Sequence, residues 1–380
     1  MKILMTTQPG LGHLRPLAAL GRILLERGHD VRVACPPRFS DVVRSVGLSP
    51  LPAGYDFVIS EASQAFPDMP PAGPARMPWM IPFFYRRTAV RTARDLIDLR
   101  RQFDPDLVIR DYLEVGGTLF GEICRVPHVA AGPIWFRGEP AVRESLRDAC
   151  LDLGLPPAGS EQMLFRHGAI AAQPPWWNAP DEVVPGGVTY VRPSAPPGAG
   201  VAPSWMSALD ATAPLVHVTL GTTEANRTPG LYRTIVDALR DESVEVVVSM
   251  GREFDRTELG PVSDRVHVHE MVEHGHLLPR CAVVVSNGGY GTLMASLAHG
   301  VPSVVVPIQA DQPRNAKRMV DLGLGVSVGR SEWTSDAVRR AVRSVLDDDA
   351  YRLAAHRARR SLERLPFVES VVEQLERLRR

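Results

Sequence analysis

The sequence predicts an α/β protein made of two doubly wound halves, each with a parallel sheet that is covered by helices on both faces. Three observations support this fold class. The chain has 380 residues, enough for two domains of ordinary size. Short apolar runs alternate with longer segments of helical period, as they do in βαβ units. The alternation stops in a Pro- and Gly-rich stretch at 176–204 and then resumes.

The first half begins with a predicted strand at 2–7, followed by a helix that Gly28 ends. The apolar residues of this helix recur every three or four positions and therefore share one face. The next predicted elements are strand 30–34, helix 39–46, strand 106–111, helix 116–126 and strand 127–134. The Pro- and Gly-rich stretch can hold one more strand, 188–191, and then a linker.

The second half repeats the same alternation of apolar strands and amphipathic helices. Its predicted strands are 215–220, 244–250, 265–271, 282–286, 303–308 and 326–328. Its predicted helices are 232–240, 292–299, 315–322, 335–346, 351–365 and 368–378. In sheets of this kind ligands bind beyond the carboxyl ends of the strands, so the loops at those ends are the candidate sites.

Charge and composition disfavour several classes of protein. The 43 Lys and Arg residues balance 43 Asp and Glu residues, so no basic excess attracts nucleic acid or an anionic membrane surface. The apolar run at the start is too short for a signal peptide, and no stretch approaches the ~20 apolar residues of a membrane span. The four cysteines are scattered without a ligand spacing. We therefore expect a cytoplasmic protein without a membrane span.

The first candidate site is the segment QPGLGHLRP between the first strand and the first helix. Gly10 and Gly12 permit a tight turn, and His13 falls near the helix N-terminus. The third glycine of a dinucleotide fingerprint is missing, which disfavours a Rossmann cofactor site. A neutral His13 can accept a proton near pH 7, and Asp111, which ends another strand at the same edge, is the natural carboxylate to orient it. The alternative is a His13 that only caps the helix or forms a buried hydrogen bond.

The second candidate site is the glycine-rich segment SNGGYGTL, where an apolar strand runs into a helix. Backbone N–H groups at Gly289, Gly291 and Thr292 can converge there, and the helix N-terminus adds positive potential, so the loop suits a diphosphate. Thr222 and Thr223 follow the first strand of the same half and bring small donors to this edge. The alternative is a tight strand–helix joint without a ligand.

The third candidate site is the segment PIQADQPRN, which follows a later strand of the second half. Asp311 and Gln312 set a carboxylate and an amide side by side, and this pair can hydrogen-bond the vicinal hydroxyls of a sugar. The alternative is an Asp-capped loop without a function.

Residues 55–85 are rich in Pro, Met and aromatic side chains, and they are too irregular in pattern for a core element. We predict a mobile wall for a flat or apolar acceptor, with Trp135 on the same edge. The alternative is that these side chains belong only to the core. The predicted acceptor-binding residues are Phe57, Met69, Trp79, Met80, Phe83, Phe84 and Trp135.

Three motifs stand in fixed order: PGLGHLRPL, LLPRCAVVVSNGGYGTLMASLAHGVPSVVVP and ADQPRNAKRMVDLG. Together they resemble the nucleotide-sugar-dependent glycosyltransferases of the UDP-glucuronosyl/UDP-glucosyltransferase superfamily, above all the bacterial enzymes that decorate polyketides, macrolides and other natural products. The resemblance implies a GT-B fold, with two Rossmann-like domains and an interdomain cleft. We expect an acceptor-binding domain at 1–205 with a linker from about 176, a nucleotide-sugar-binding domain at 206–366, and a final helix at 367–380 that packs back toward the N-terminal domain.

The resemblance makes His13 the general base that deprotonates an acceptor hydroxyl, and Asp111 the carboxylate that orients it. The expected reaction is one inverting displacement at the anomeric carbon of a dTDP-sugar or UDP-sugar, with a dTDP-deoxysugar favoured and with no metal or other cofactor. The histidines between 267 and 276 lack the further ligands of a zinc site. The implied donor-binding residues are Thr222, Thr223, Val272, His274, Asn287, Gly289, Gly291, Thr292, Asp311 and Gln312.

Two positions depart from the family pattern. Asn287 stands where the family has a histidine that donates to a phosphate, so donor affinity is expected to be weaker. Met271 precedes Val272 where relatives often have an aromatic residue, so poorer base stacking is expected, with backbone contacts from Val272 reading the base.

Three alternative functions share this layout. A C-glycosyltransferase is disfavoured by His13, which O-glycosylation needs as a base. A sugar-nucleotide epimerase has no use for an apolar acceptor wall. A non-catalytic homologue that activates a partner enzyme is disfavoured because His13, Asp111, Asp311 and Gln312 are all intact. The expected partners are a small-molecule aglycone and a nucleotide sugar, with no nucleic acid, and the expected state is a monomer or a homodimer.

Overall fold

The computed structural model describes residues 1–71, 75–133, 139–193, 198, 200–221, 228–251 and 255–378. The chain forms two compact units. The first unit comprises Met1–Arg192 together with Leu365–Arg380, and the second comprises Pro193–Arg364. None of the helices in the described ranges is long and apolar enough to cross a membrane.

The first unit contains a seven-stranded sheet. Its strands are β1 (Lys2–Thr6), β2 (Asp30–Cys35), β3 (Ser49–Pro52), β4 (Leu107–Asp111), β5 (His128–Ala131), β6 (Ala169–Ala171) and β7 (Val188–Tyr190). They lie in the order β3-β2-β1-β4-β5-β6-β7, and every pair is parallel. Because the chain order reverses between β1 and β4, the loops after these two strands border the crevice where such sheets bind ligands.

The α-helices of this unit are α1 (Leu11–Glu26), α2 (Ser40–Ser45), α3 (Ala62–Ala65), α4 (Arg76–Pro82), α5 (Ala89–Leu99), α6 (Gly116–Cys124), α7 (Pro140–Asp152) and α8 (Ser160–Met163). Helix α1 buries Leu14, Leu17 and Leu20 against Ile3 and Met5 of β1. Full burial of each leucine contributes about 1.5–3 kcal/mol. This packing fixes the first turn of α1, which carries His13, over the carboxyl end of the sheet.

The second unit repeats the architecture with a six-stranded parallel sheet. Its strands are β8 (Leu215–Thr219), β9 (Glu245–Ser249), β10 (Val266–His269), β11 (Cys281–Ser286), β12 (Ser303–Val305) and β13 (Gly325–Ser327). They lie in the order β10-β9-β8-β11-β12-β13, so the reversal falls between β8 and β11. Its α-helices are α9 (Leu231–Leu239), α10 (His274–Leu277), α11 (Tyr290–Ala298), α12 (Gln312–Asp321), α13 (Ser335–Asp347) and α14 (Asp349–Glu363).

The last helix, α15 (Val372–Arg377), belongs to the first unit. Val371, Val372 and Leu375 are buried in the core cluster that also contains Leu14. Thr189 of β7 donates from Oγ1 to Oε1 of Gln374 at 3.0 Å. The chain thus crosses to the second unit after Arg192 and returns after Arg364.

The predicted fold class is confirmed, since both units are parallel-sheet α/β structures, but several elements were not predicted, among them β3, β6 and α7. Strand β3 has the sequence SPLP, and its two prolines argued against a strand. Proline is tolerated here because β3 lies at the edge of the sheet. Strand β6 has only three residues. Helix α7 was also missed, although its buried residues Val142, Leu146 and Cys150 follow a helical spacing.

The expectation that 55–85 is too irregular for a core element was wrong. Helix α4 continues into a π-helical turn at Phe83–Thr88 and then into α5. Phe57, Phe66 and Phe83 are buried and pack against one another. Pro82 stands at the end of α4, where it interrupts the sequence pattern without ending the helical path.

Candidate functional site

His13 and Asp111 meet at the carboxyl edge of the first sheet. His13 lies in the first turn of α1, directly after β1, and Asp111 is the last residue of β4. Strands β1 and β4 are paired, with Thr6 opposite Arg110, so both side chains emerge at the reversal of the strand order. Nδ1 of His13 lies 2.8 Å from Oδ2 of Asp111, and the two side chains are 20% and 3% exposed.

A neighbour of this pair, Tyr112, was missed by the sequence analysis. The ring of Tyr112 stacks on the imidazole of His13, with centroids 5.7 Å apart and an interplanar angle of 21°. Gly132 makes room for that ring, because a Cβ there would come within 2.9 Å of Tyr112 and its φ is +131°. Ile59 donates its N–H to the Pro9 carbonyl and lies beside Gly10. The available signal for Tyr112 was its place directly after Asp111 at a strand end.

The main chain behind the pair is held by Arg110, whose side chain is buried. Its guanidinium donates to the carbonyl oxygens of Asp111, Tyr112 and Leu164 at 3.1, 2.8 and 2.7 Å. Burial lowers the pKa of Arg110 from its ordinary value. These three bonds fix the backbone that carries both contacts of His13, and no sequence signal distinguished Arg110 from other strand residues.

Glu114 holds the next segment of the same loop. Its Oε1 and Oε2 accept the backbone N–H groups of Gly116 and Gly117, both at 2.9 Å, so it caps the N-terminus of α6. Burial raises the pKa of Glu114, against the opposing effect of these hydrogen bonds. Hydrogen bonds from Arg110 therefore hold the end of β4 at Asp111, and hydrogen bonds to Glu114 hold the start of α6.

The predicted acceptor wall divides into buried and accessible members. Phe57, Phe83 and Phe84 are buried with Phe66 in an aromatic cluster, where they contribute mainly to the core. The partly buried members Met69, Trp79 and Met80 pack on the outside of this cluster. Trp135 lies outside the described residues.

A cavity of about 350 Å³ opens beside this cluster. It is lined by Tyr55, Trp79, Pro82, Phe83, Arg86, Arg87, Val90 and Asp152. The ring of Trp79 stacks on that of Phe83 at 4.6 Å, and Nε of Arg86 donates to Asp152 at 2.8 Å. Trp79 and Phe83 are thus the predicted acceptor residues that line this cavity.

In the second unit, the glycine-rich loop follows β11 at the reversal of the strand order. Oδ1 of the buried Asn287 accepts the N–H of Gly289 at 3.1 Å, and Oγ of Ser286 accepts the N–H of Gly288 at 3.2 Å. The N–H of Gly289, one of the three predicted diphosphate donors, is thus bonded to a side chain of the loop itself. Gly291 and Thr292 lie in the first turn of α11, which has no side-chain cap.

The third predicted segment is built around an inward-turned glutamine. Oε1 of Gln312 accepts the backbone N–H groups of Ile308 and Gln309 at 2.8 and 2.9 Å. Gln312 is 4% exposed, and its carbonyl oxygen is occupied by these two hydrogen bonds within the loop. Asp311 is the residue before α12 and is half-buried. Thr222 and Thr223, which follow β8 in the sequence, lie outside the described residues.

Val272 and His274 lie close to the end of β10. Val272 packs on the cluster that contains Leu215, Val247 and Leu277, whereas Met271 before it is 46% exposed. The ring of His274 meets the edge of His217 at 5.5 Å. Within the described ranges no group of three or more His, Cys, Asp or Glu residues is placed to hold a metal ion.

Trp205 was missed because it lies in the predicted linker. It stacks on His269, the last residue of β10, with centroids 3.9 Å apart and an angle of 30°. It also packs on the same cluster as Val272. An aromatic side chain therefore does stand near the strand end where the sequence pattern predicted none.

Comparison with known proteins places these features in one family. Residues 233–378 match the family described as "Erythromycin biosynthesis protein CIII-like, C-terminal domain". The L-demethylnoviosyl transferase of Streptomyces niveus is 31% identical over 390 residues, which cover 99% of this chain and 97% of the relative.

Two solved structures match over the whole chain. The calicheamicin glycosyltransferase CalG4 has a TM-score of 0.83 at 22% identity, covering 99% of this chain and 98% of that one. The glycosyltransferase VinC, solved in complex with dTDP, has a TM-score of 0.77 at 25% identity, covering 100% and 99%. With its two parallel-sheet units and this full-length similarity, the chain belongs to the GT-B glycosyltransferases of bacterial natural-product biosynthesis.

Proposed function

We propose that this glycosyltransferase transfers a sugar, with inversion, from a dTDP-sugar to a hydroxyl group of an apolar natural-product aglycone. The observation that carries the proposal is the 2.8 Å contact between Nδ1 of His13 and Oδ2 of Asp111 at the strand-order reversal of the first sheet. A histidine held by a carboxylate at a ligand-binding edge is the arrangement that general-base catalysis requires.

The carboxylate determines which nitrogen of His13 acts. Asp111 accepts a hydrogen bond from Nδ1–H, which leaves the basic lone pair on Nε2. Nε2 then takes the proton of the acceptor hydroxyl while the oxygen attacks the anomeric carbon of the sugar. The C–O bond to the diphosphate breaks in the same step, and Asp111 stabilises the imidazolium that forms. One displacement of this kind inverts the anomeric configuration.

The leaving diphosphate is the proposed ligand of the glycine-rich loop. The N–H groups of Gly291 and Thr292 lie at the N-terminus of α11, where amide dipoles favour negative charge. Asn287 and Gly289 can add contacts when the Asn287–Gly289 hydrogen bond opens to the ligand. On the basis of the sequence motifs, Thr222 and Thr223 are assigned to contacts with the phosphates and the sugar. We propose no metal in this step, and unchanged turnover in EDTA is the expected result.

The sugar hydroxyls are assigned to Asp311, whose carboxylate accepts their hydrogen bonds, and to the Nε2 group of Gln312, which donates. The Oε1 atom of Gln312 is excluded from this role by its bonds to Ile308 and Gln309. Val272 and His274 are assigned to the nucleoside.

The aglycone is assigned to the first unit, where it would pack against Met69, Trp79 and Met80. Trp135 is assigned to the same role on the basis of the sequence alone. Phe57, Phe83 and Phe84 support this surface from beneath. An apolar, partly aromatic aglycone fits these side chains.

The proposed preference for dTDP is supported by the relative VinC, whose structure holds dTDP. Thermal unfolding with dTDP and with UDP at equal concentration tests the preference. A nucleotide at 100 times its Kd adds about 2.7 kcal/mol to the free energy of unfolding. We expect the larger shift with dTDP, and a larger shift with UDP contradicts this part of the proposal.

The whole proposal is tested by incubating the purified chain with dTDP- and UDP-sugars and a panel of aglycones. We expect an O-linked product with inverted anomeric configuration by NMR, formed without a second protein. A C-linked product, a retained configuration, or turnover only after a partner protein is added would each overturn a stated part of it.

A further inference from the structure

Asn315 lies in the first turn of α12 and is 0% exposed. Its side-chain amide contacts two different loops of the second unit. Nδ2 donates to the carbonyl oxygen of Gly288 at 3.0 Å and to Oδ2 of Asp311 at 2.7 Å. Gly288 belongs to the glycine-rich loop, and Asp311 is the carboxylate proposed for the sugar. One buried amide therefore joins the diphosphate loop to the sugar carboxylate.

The orientation of this amide is determined by its neighbours. Nη1 of Arg314 donates to Oδ1 of Asn315 at 3.3 Å, and a guanidinium can only donate, so the oxygen must lie on that side. The backbone N–H of Asn315 donates to the Asp311 carbonyl at 2.9 Å. Turning the amide over would leave buried polar groups unpaired, at a cost of about 1–3 kcal/mol each.

The two loops that Asn315 joins are themselves held in restricted conformations. Gly288 has φ of +81°, and a Cβ there would come within 2.6 Å of Cγ1 of Val305. Ala310, just before Asp311, has φ of +53°, which costs a non-glycine residue about 1–2 kcal/mol. A loop held in such a conformation has little freedom to correct a misplaced carboxylate.

We infer that Asn315 is a positioning residue that sets the Asp311 carboxylate relative to the diphosphate loop, so that binding of the diphosphate orients the sugar. The inference rests on the proposed function of these two loops. Asn315 does not touch the substrate in this account. It acts through Gly288 and Asp311, and its removal changes the recognition of the sugar more than that of the nucleotide.

The test compares two probes, dTDP and dTDP-glucose, by titration calorimetry. For Asn315→Ala we expect the ratio of the two Kd values to change by about tenfold from wild type, which corresponds to one hydrogen bond of about 1.4 kcal/mol. Thr334→Ala is the matched control. Thr334 accepts the N–H of Ala337 at the start of α13, so its loss weakens the unit by about 1 kcal/mol without touching either loop.

A double-mutant cycle separates positioning from general destabilisation. Asp311→Ala should change the Kd ratio by itself, and adding Asn315→Ala to it should change the ratio no further. Asn315→Ser, which can make only one of the two donor bonds, gives the same comparison if the alanine variant does not fold. An unchanged ratio in the Asn315 variant, or effects of the two substitutions that multiply, overturns the inference. If wild type binds neither probe, the proposed function itself has failed.

Discussion

The His13–Asp111 pair of the first unit and the glycine-rich loop of the second unit occupy equivalent positions, each at the strand-order reversal of a parallel sheet. Their chemistry differs. The first unit presents a histidine and a carboxylate, two groups that exchange protons. The loops of the second unit are organised by the neutral amides of Asn287, Gln312 and Asn315, which keep one hydrogen-bonding state at every physiological pH.

One architecture thus supports two tasks with different requirements. Removing a proton from an acceptor requires a group that titrates near neutral pH. Holding a diphosphate requires donors fixed in advance, which backbone N–H groups at a helix N-terminus provide without a charge of their own. The equal numbers of acidic and basic side chains agree with this second arrangement.

The largest expected effect follows from removing the base. For His13→Ala we expect kcat to fall by about 10²–10⁴-fold, because the acceptor hydroxyl loses its proton acceptor. The Kd for dTDP should stay within twofold of wild type, since the proposed donor loops lie in the other unit. Steady-state kinetics and calorimetry on the same preparation measure both. A parallel loss of dTDP binding would contradict the proposed division of work between the units.

A smaller effect is expected for Asp111→Asn. The amide oxygen can still accept Nδ1–H of His13, but it carries no charge to stabilise the imidazolium, so kcat should fall by about 10–100-fold. Steady-state kinetics measure this loss, and a kcat equal to that of wild type would show that Asp111 does not act through His13.

The donor loop is tested by giving it a charge. For Asn287→His we expect dTDP to bind about three- to tenfold more tightly at pH 6, because a hydrogen bond from a cation to a phosphate exceeds a neutral one by about 1 kcal/mol. The gain should shrink as pH rises and the imidazole loses its proton. Calorimetry at pH 6 and pH 8 measures this, and weaker binding at both values would contradict the proposed phosphate contact.

A fourth prediction concerns a histidine of the second unit that does not serve proton transfer. Burial lowers the pKa of His217 to about 3, with a further contribution from His274. Between that value and its ordinary pKa the unfolded chain binds a proton that the folded chain does not, so stability is lost as pH falls. From pH 7 to pH 5 this amounts to about 2 kcal/mol.

Urea unfolding of wild type and His217→Gln at the two pH values measures this contribution. The variant should lose about 2 kcal/mol less than wild type between pH 7 and pH 5. Equal losses in the two proteins would mean that His217 does not account for the dependence on pH.

The sequence predicted what depends on strand ends and missed what depends on packing. His13 and Asp111 were paired in advance because parallel strands end at one edge, and the structure brings their side chains into contact. Arg110 and Asn315 were missed because they contact residues that are distant in the sequence, and Trp205 was missed because its segment resembles a linker.

The aromatic stretch and Gln312 show the same limit at the level of single side chains. Residue types predicted ligand contacts for Phe57, Phe84 and Gln312. The fold buries both phenylalanines in the aromatic cluster and turns the carbonyl oxygen of Gln312 to its own backbone. Side-chain direction is decided by packing, which composition does not reveal.

The central claim, that His13 and Asp111 form one catalytic unit, is tested most directly by kcat for His13→Ala, Asp111→Asn and the double variant. Because Asp111 acts only through the imidazole, we predict that the double variant has the kcat of His13→Ala within about twofold. Losses that multiply in the double variant, or an undiminished kcat in His13→Ala, would contradict the account.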